Sequence, residues 1–120
     1  MNDRGSAAVE FALVVPLVLL ALLAIVETAL IARAQIQVVM AAREGAREAA
    51  THPDVDRAVD AARGVLGPDM AAQATVTVRR PDIVGESARV VVTLRHRIAA
   101  SFLGGFNIDI EGRAAMRVER

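Results

Sequence analysis

The pattern of hydrophobic and polar positions changes twice along the chain. An uncharged apolar run occupies Phe11 to Val26, bounded by Glu10 and Glu27. A helical pattern continues to about Ala50, and from Ala72 the period changes to two. These periods predict a long helix at the start of the chain and a small sheet at its end.

The apolar run is long enough to cross a membrane as a helix. Phe11 to Val26 covers about 24 Å, and the wider segment Ala7 to Ala32 covers about 39 Å, against roughly 30 Å of hydrocarbon. The rest of the chain is too small to surround so apolar a helix. We therefore predict one span over residues 6–32, with a kink or local loosening at Pro16.

The sequence leaves the orientation of this span open. Arg43 and Arg47 follow it and favour a cytoplasmic C-terminal side, whereas a span so near the N-terminus favours an exported head. Ala32-Arg33-Ala34 also has the form of a signal peptidase site, which would leave a secreted chain beginning at Gln35. The long apolar run and its interruption by Glu27 disfavour that cleavage.

Beyond the span, residues 33–51 are predicted to continue the helix as an amphipathic segment. Its polar face consists of Arg33, Gln37, Met40, Glu44, Arg47 and Glu48. Its other face consists of Ala34, Val38, Ala41, Ala42, Gly45 and Ala49. Gly45 costs a helix roughly 1 kcal/mol relative to alanine, which predicts close approach of another element, most simply a sheet. Glu44 and Arg47 form an i, i+3 pair typical of a solvated face.

A second, short helix is predicted after Thr51-His52-Pro53. Pro53 disfavours helix in the preceding residue and suits the first turn of a new helix. The apolar stripe of this helix is Val55, Ala58, Val59, Ala62 and Leu66, with Gly64 or Gly67 as its end.

Three strands complete the chain, and residues 52–120 form the predicted head. The apolar alternating positions are Val76 and Val78, then Val90, Val92 and Leu94, then Ile108, Ile110, Ala114, Met116 and Val118. Such a sheet needs a cover on its apolar face, and the small-residue face of the long helix is the candidate. We predict an α+β fold with a three-stranded antiparallel sheet. Phe102 and Phe106, in the last loop, are interpreted as packing residues, with an exposed tip that contacts a partner or membrane as the alternative.

Composition argues against catalysis and nucleic-acid binding. The formal net charge is zero and only 2% of residues are aromatic, so neither a global field nor a stacking platform attracts nucleic acid. Cysteine is absent, and His52 and His96 have no metal-ligand spacing. No phosphate loop, nucleophile elbow or dinucleotide fingerprint is present. We expect no enzyme activity, catalytic residue, metal, cofactor or small-molecule substrate.

The N-terminal block Gly5-Ser6-Ala7-Ala8-Val9-Glu10-Phe11 carries the most specific signal. A lone charge costs about 2.5 to 3.5 kcal/mol at the bilayer centre, so Glu10 needs headgroups or a partner. In one interpretation Glu10 only complements the positive start of a helix. In another, a cut after Gly5 makes Ser6 the new N-terminus and Glu10 its fifth residue.

The pattern Gly-x-x-x-x-Glu-aromatic before an apolar run resembles the processing site of type IV prepilins. Its very short leader is similar to that of the Flp/Tad, or tight adherence, branch. Residues Gly5 to Pro16 resemble the start of TadE-like proteins, the minor pseudopilins of that system. Ala41-Ala42-Arg43-Glu44-Gly45-Ala46-Arg47 and the β-rich tail from Ala114 to Glu119 are also similar, so the resemblance extends over the whole chain.

This resemblance implies a maturation and an assembly role. Residues 1–5 would be a cytoplasmic leader that a prepilin peptidase removes between Gly5 and Ser6, with Phe11 as the aromatic of the motif. Glu10 would pair with the N-terminal amine of a neighbouring subunit. The implied partners are the peptidase, other pilins and pseudopilins with their assembly machinery, and the bilayer of the cytoplasmic membrane, with the head outside.

Two classes of protein therefore remain. One is a minor pseudopilin, since major pilins of this branch are much shorter and lack a large globular tail. The other is a single-pass membrane-anchored binding or scaffold protein that is never cut at Gly5. The Gly5–Glu10 spacing favours the pseudopilin.

Overall fold

The computed structural model describes residues 3–98 and 104–119, which form three helices followed by three strands. The helices are α1 (Asp3–Thr51), α2 (Val55–Leu66) and α3 (Pro68–Ala72). The strands are β1 (Ala74–Arg79), β2 (Ser87–Arg97) and β3 (Asn107–Arg117). The predicted α+β class, with a long N-terminal helix and a three-stranded antiparallel sheet, is confirmed.

Helix α1 gives the molecule its elongated shape, 83 Å long and 21 by 19 Å across. It is one helix that includes Pro16. All six residues predicted on its small-residue face are buried, and Ala46 and Ala50 join them. Val38, the largest of these, is fully buried. The amphipathic pattern therefore predicted correctly which face carries the head.

The sheet has the order β1-β2-β3, and both pairings are antiparallel. Val90 and Val92 are fully buried beneath α1, and Leu94 and Ile110 are nearly so. Ile108 and Ala114 pack at the margin of this core. Met116 differs from the prediction: it is 40% exposed because it lies towards the end of the edge strand β3, although Val118 just beyond that strand is buried. Phe102 lies outside the described residues.

Two glycines allow α1 to lie close to its neighbours. A Cβ atom added to Gly45 would lie 3.2 Å from Val90 Cγ1 and 3.3 Å from Ala62 Cβ, so the predicted close approach involves both the sheet and α2. Gly112 is tighter still. A Cβ atom there would lie 2.6 Å from the carbonyl carbon and oxygen of Val38. Backbone packs directly on backbone where β3 crosses the helix.

The start of α2 differs from the prediction. Asp54 is the N-cap, and its carboxylate accepts a hydrogen bond from the Asp56 amide at 3.0 Å, so Pro53 precedes the cap rather than opening the helix. An Asp at this position satisfies an otherwise unpaired amide, which explains why the helix starts at Val55, two residues after Pro53. Gly67 ends α2 with a φ of 78°. Pro68 then begins α3, a short helix that the sequence pattern did not predict.

Hydrogen bonds connect the head to the C-terminal half of α1. Gln35 Nε2 donates to the Glu111 carbonyl at 2.9 Å. Near the end of α1, the Glu119 amide donates to the Ala50 carbonyl at 2.9 Å, and Arg80 Nε donates to the Ala49 carbonyl at 2.7 Å. The last carbonyls of a helix have no partner within the helix. The head therefore completes the hydrogen bonding of the helix on which it packs.

Candidate functional site

The residues of the predicted processing site lie in the first turns of α1. Helix begins at Asp3, so the Gly5–Ser6 bond is helical and fully on the surface. Among the residues that the structure describes, no side chain or distant backbone lies within 4 Å of a Cβ atom added to Gly5. The first four amides of a helix lack intrahelical partners, so this turn unwinds at low cost. A protease that binds an extended strand can gain access here without disturbing the head.

Glu10 and Phe11 are exposed on the same helix, one turn further along. Phe11 is 71% exposed and begins the uncharged run. Ser6 and Glu10 are four residues apart and therefore lie on one face, with a rise of about 6 Å between them. The Glu10 carboxylate and the Ser6 backbone amide therefore lie on the same exposed face of α1.

The N-terminal half of α1 has the surface of a membrane helix. Its most apolar stretch has a mean hydropathy of 2.9, and the other described residues bury none of that stretch. By length and composition this one helix could cross a membrane. Its exposed large apolar side chains are Val9, Phe11, Leu13, Val14, Leu17, Val18, Leu19, Leu20, Leu22, Ile25 and Val26.

Glu27, the first charge after the apolar run, is covered by the end of the sheet. Its residue surface is only 8% exposed, and His96 Nε2 donates a hydrogen bond to its Oε1 at 2.9 Å. His96 is half-buried near the end of β2, in the inward register that the strand pattern predicted. The pair joins α1 to the sheet where the uncharged segment ends.

Other polar groups, near the end of α1, form ordinary surface pairs. Arg47 Nε donates to Glu44 Oε2 at 3.1 Å, and this hydrogen bond lowers the pKa of Glu44 and raises that of Arg47. Glu48 Oε1 lies 3.1 Å from both Arg57 Nε and His52 Nδ1, which connects the end of α1 to α2. Within residues 3–98 and 104–119, no group of three His, Asp or Glu side chains could hold a metal ion.

The open face of the sheet is rich in arginine. Arg79 and Arg89 lie directly opposite each other on β1 and β2 and, with Arg113, line a shallow depression of about 450 Å³. Arg113 pairs with Glu111 along its own strand. Arg95 on β2 lies directly opposite Asp109 on β3, where opposite charges stabilise a strand pair.

Sequence reasoning missed two features of this architecture, although signals for both were present. Glu27 lies seven residues before Ala34, on the buried face of α1, so a partner could have been expected. His96 extends the inward register of β2 and is that partner. Gly112 stands between two inward-facing residues of β3, where a missing side chain indicates close backbone approach.

Comparison with known families agrees with the resemblance seen in the sequence. The model of a family described as TadE-like protein matches residues 5–47, which is α1 from its first turn nearly to its end. Neither the curated proteins nor the solved structures include a significant match. The N-terminal segment of the chain is thus similar to TadE-like proteins, consistent with a protein of the Tad pilus system.

Proposed function

We propose that this chain is a minor pseudopilin, a structural and assembly component of a tight-adherence pilus, matured by a prepilin peptidase that cuts after Gly5. The observation that carries the proposal is the match to the TadE-like family, which begins at Gly5 itself. The exposed first turn of α1 and the bare apolar surface behind it are compatible with a membrane-bound peptidase.

The proposed maturation is a hydrolysis. Water adds across the Gly5–Ser6 peptide bond, Gly5 leaves as the carboxylate end of the leader, and Ser6 gains a free amine. Gly5 suits this reaction because its backbone adopts extended conformations readily and no side chain shields the carbonyl. The cut removes Asp3 and Arg4 and leaves the new amine and Glu10 as the first charged groups of the helix.

The amine and Glu10 then provide the contact between subunits. In an apolar environment each charge is costly alone, and loss of one partner of a buried pair typically costs about 3 to 5 kcal/mol. Pairing Glu10 with the Ser6 amine of a neighbouring subunit removes both costs and sets the register of adjacent helices. The same helix cannot bury its own pair, since Ser6 and Glu10 are both exposed on its surface.

The proposed topology follows from the same maturation. Residues 1–5 are the cytoplasmic leader, residues 6–32 cross the cytoplasmic membrane, residues 33–51 continue the helix outside, and residues 52–120 form the extracytoplasmic head. The proposed partners are the prepilin peptidase, other pilins and pseudopilins, the assembly machinery and the lipid bilayer.

Replacement of Glu10 tests the assembly role. Glu10→Leu is expected to insert in the membrane as the wild type does but to be lost from complexes that co-purify with pilus components. Asp3→Leu is the matched control, because it removes a carboxylate from the same helix but from the part that the peptidase discards. Normal co-purification of the Glu10→Leu protein would contradict the proposed pairing.

A further inference from the structure

The end of the sheet extends alongside the apolar half of α1. Beyond the His96–Glu27 hydrogen bond, Ile98 lines a depression of about 290 Å³ together with Leu20, Leu23 and Ala24 of the helix. These helix residues belong to the uncharged run that ends at Val26. The head therefore overlaps the apolar surface of α1 along the helix axis, with Ile98 beside Leu20 and Leu23.

The length of the apolar run places this contact within the depth of a bilayer. The residues between Glu10 and Glu27 cover only about 24 Å, already less than a hydrocarbon core of roughly 30 Å. If the hydrocarbon ended below the head, at Leu20, the span from Phe11 would be about 15 Å. A helix that crosses the membrane must therefore place Leu20 to Ala24 at hydrocarbon depth, and Ile98 lies beside them.

The end of the sheet has a side chain suited to that position. The Ile98 amide donates to the Phe106 carbonyl at 3.1 Å, so Phe106 lies next to Ile98 across the two strands. Phe106 is 64% exposed, contrary to the interpretation of it as a packing residue. An aromatic ring has a large apolar surface that is removed from water when it enters a membrane.

The polar groups nearest to this end also match a membrane boundary. The Glu27 carboxylate, which would be costly beside hydrocarbon, is covered and receives the His96 hydrogen bond. Arg95 and Arg97 are exposed on the outward face of β2. Long arginine side chains can keep an apolar stem near lipid while the guanidinium reaches phosphate.

We propose that Ile98, Gly104, Gly105 and Phe106, the membrane-proximal tip, insert into the phospholipid bilayer that α1 crosses. Lipid is the occupant because the tip is continuous with the exposed apolar surface of α1 at Leu20 and Leu23 and lies at the same depth. The insertion gives the head a second attachment to the membrane and so fixes its height and tilt relative to the span. This inference rests on the membrane crossing of the proposed function.

Tryptophan fluorescence with brominated lipids tests the tip directly, because the sequence contains neither Trp nor Tyr. The full chain carrying Phe106→Trp is reconstituted in phosphatidylethanolamine and phosphatidylglycerol vesicles, with bromine at defined acyl positions. Leu17→Trp reports the span itself. Ile83→Trp is the matched control, since Ile83 is as exposed as Phe106 but lies in the β1–β2 loop at the other end of the sheet.

We expect blue-shifted emission from the Phe106→Trp protein, with most of it quenched by bromines near the headgroups and less by deeper ones. The Ile83→Trp protein should remain unquenched. If Leu17→Trp is quenched but Phe106→Trp behaves like Ile83→Trp, the inserted tip is refuted while the span stands. A blue shift without bromine quenching would assign the tip to a protein contact and equally refute lipid insertion. Loss of quenching at Leu17→Trp would overturn the span and the tip together.

Discussion

Alanine at Gly112 is expected to be the most damaging small substitution in the head. The added Cβ would lie 2.6 Å from the Val38 carbonyl carbon and oxygen and 2.7 Å from the Val39 amide nitrogen. All three atoms belong to the backbone of α1, so no rotamer change relieves the contact. The strand or the helix must move.

The size of that movement sets the expected loss. Carbon atoms pack at about 3.5 to 4.0 Å, so β3 must retreat from α1 by about 1 Å. A gap of that size forfeits roughly a quarter to a half of each affected dispersion contact, and overpacking of this kind typically costs about 1 to 3 kcal/mol. Because the obstruction is backbone, we expect the upper end, about 3 kcal/mol. The shift should also disturb the Gln35 hydrogen bond to the neighbouring Glu111 carbonyl.

Pulse proteolysis of the full chain in detergent over a urea series measures this loss. Gly112→Ala should shift the unfolding midpoint of the head to much lower urea. In Gly45→Ala the added Cβ would lie 3.2 to 3.3 Å from its nearest neighbours, so the steric cost should be smaller than at Gly112. The higher helix propensity of alanine, worth roughly 1 kcal/mol, should offset part of that cost. Gly64→Ala, an open helical position, should be neutral or stabilising by about 1 kcal/mol. A wild-type midpoint for Gly112→Ala would refute the close packing of β3 on α1.

Two further predictions concern the polar contacts of α1. His96→Ala removes the hydrogen bond to the buried Glu27 carboxylate and should destabilise the head by about 1 to 3 kcal/mol in the same urea assay. Glu27→Gln keeps an acceptor oxygen and should cost less. A negligible shift of the urea midpoint in both variants would show that the pair does not hold the sheet to the helix. Glu44→Gln should cause a small loss of stability at neutral pH. Because the Arg47 hydrogen bond lowers the pKa of Glu44, its contribution is present above the unfolded-state value of 4.5 and disappears as pH falls through the lower folded-state pKa, so urea midpoints of wild type and variant should converge in acid.

The buried face of α1 and the registers of the strands could be predicted because each is a periodic pattern. Ala34, Val38 and Gly45 are spaced so that only one side of a helix can bury them, and Val90 with Val92 can face only one side of a strand. Such patterns depend on local geometry alone. The architecture therefore followed from the sequence before any contact between elements was known.

Contacts between distant segments could be predicted only in part. The close approach at Gly45 was expected, but the partner of Gly112 depends on where β3 crosses α1, which no local pattern specifies. The Glu27–His96 pair joins residues 69 positions apart. The exposure of Phe106 likewise depends on where the loop ends relative to the helix. The helix α3 was missed because a five-residue segment is too short to show a period.

The proposed processing site was predicted from sequence alone, without any contact that the fold could supply. Gly5, Ser6, Glu10 and Phe11 were selected by order and spacing, and the structure adds that they lie exposed on one bare helix. The chemistry proposed for them involves a peptidase and a neighbouring subunit. A single folded chain therefore supplies the accessibility of the site, while its reaction must be measured in the membrane.

The intact mass and N-terminal sequence of the protein extracted from its native membrane test the central claim most directly. The same measurement in cells that lack the prepilin peptidase provides the control. The proposed maturation predicts a chain that starts at Ser6 only when the peptidase is present, and the full-length chain otherwise. An uncut chain in both strains would contradict it and favour a membrane-anchored scaffold protein, and a start at Gln35 would contradict it in favour of a secreted protein.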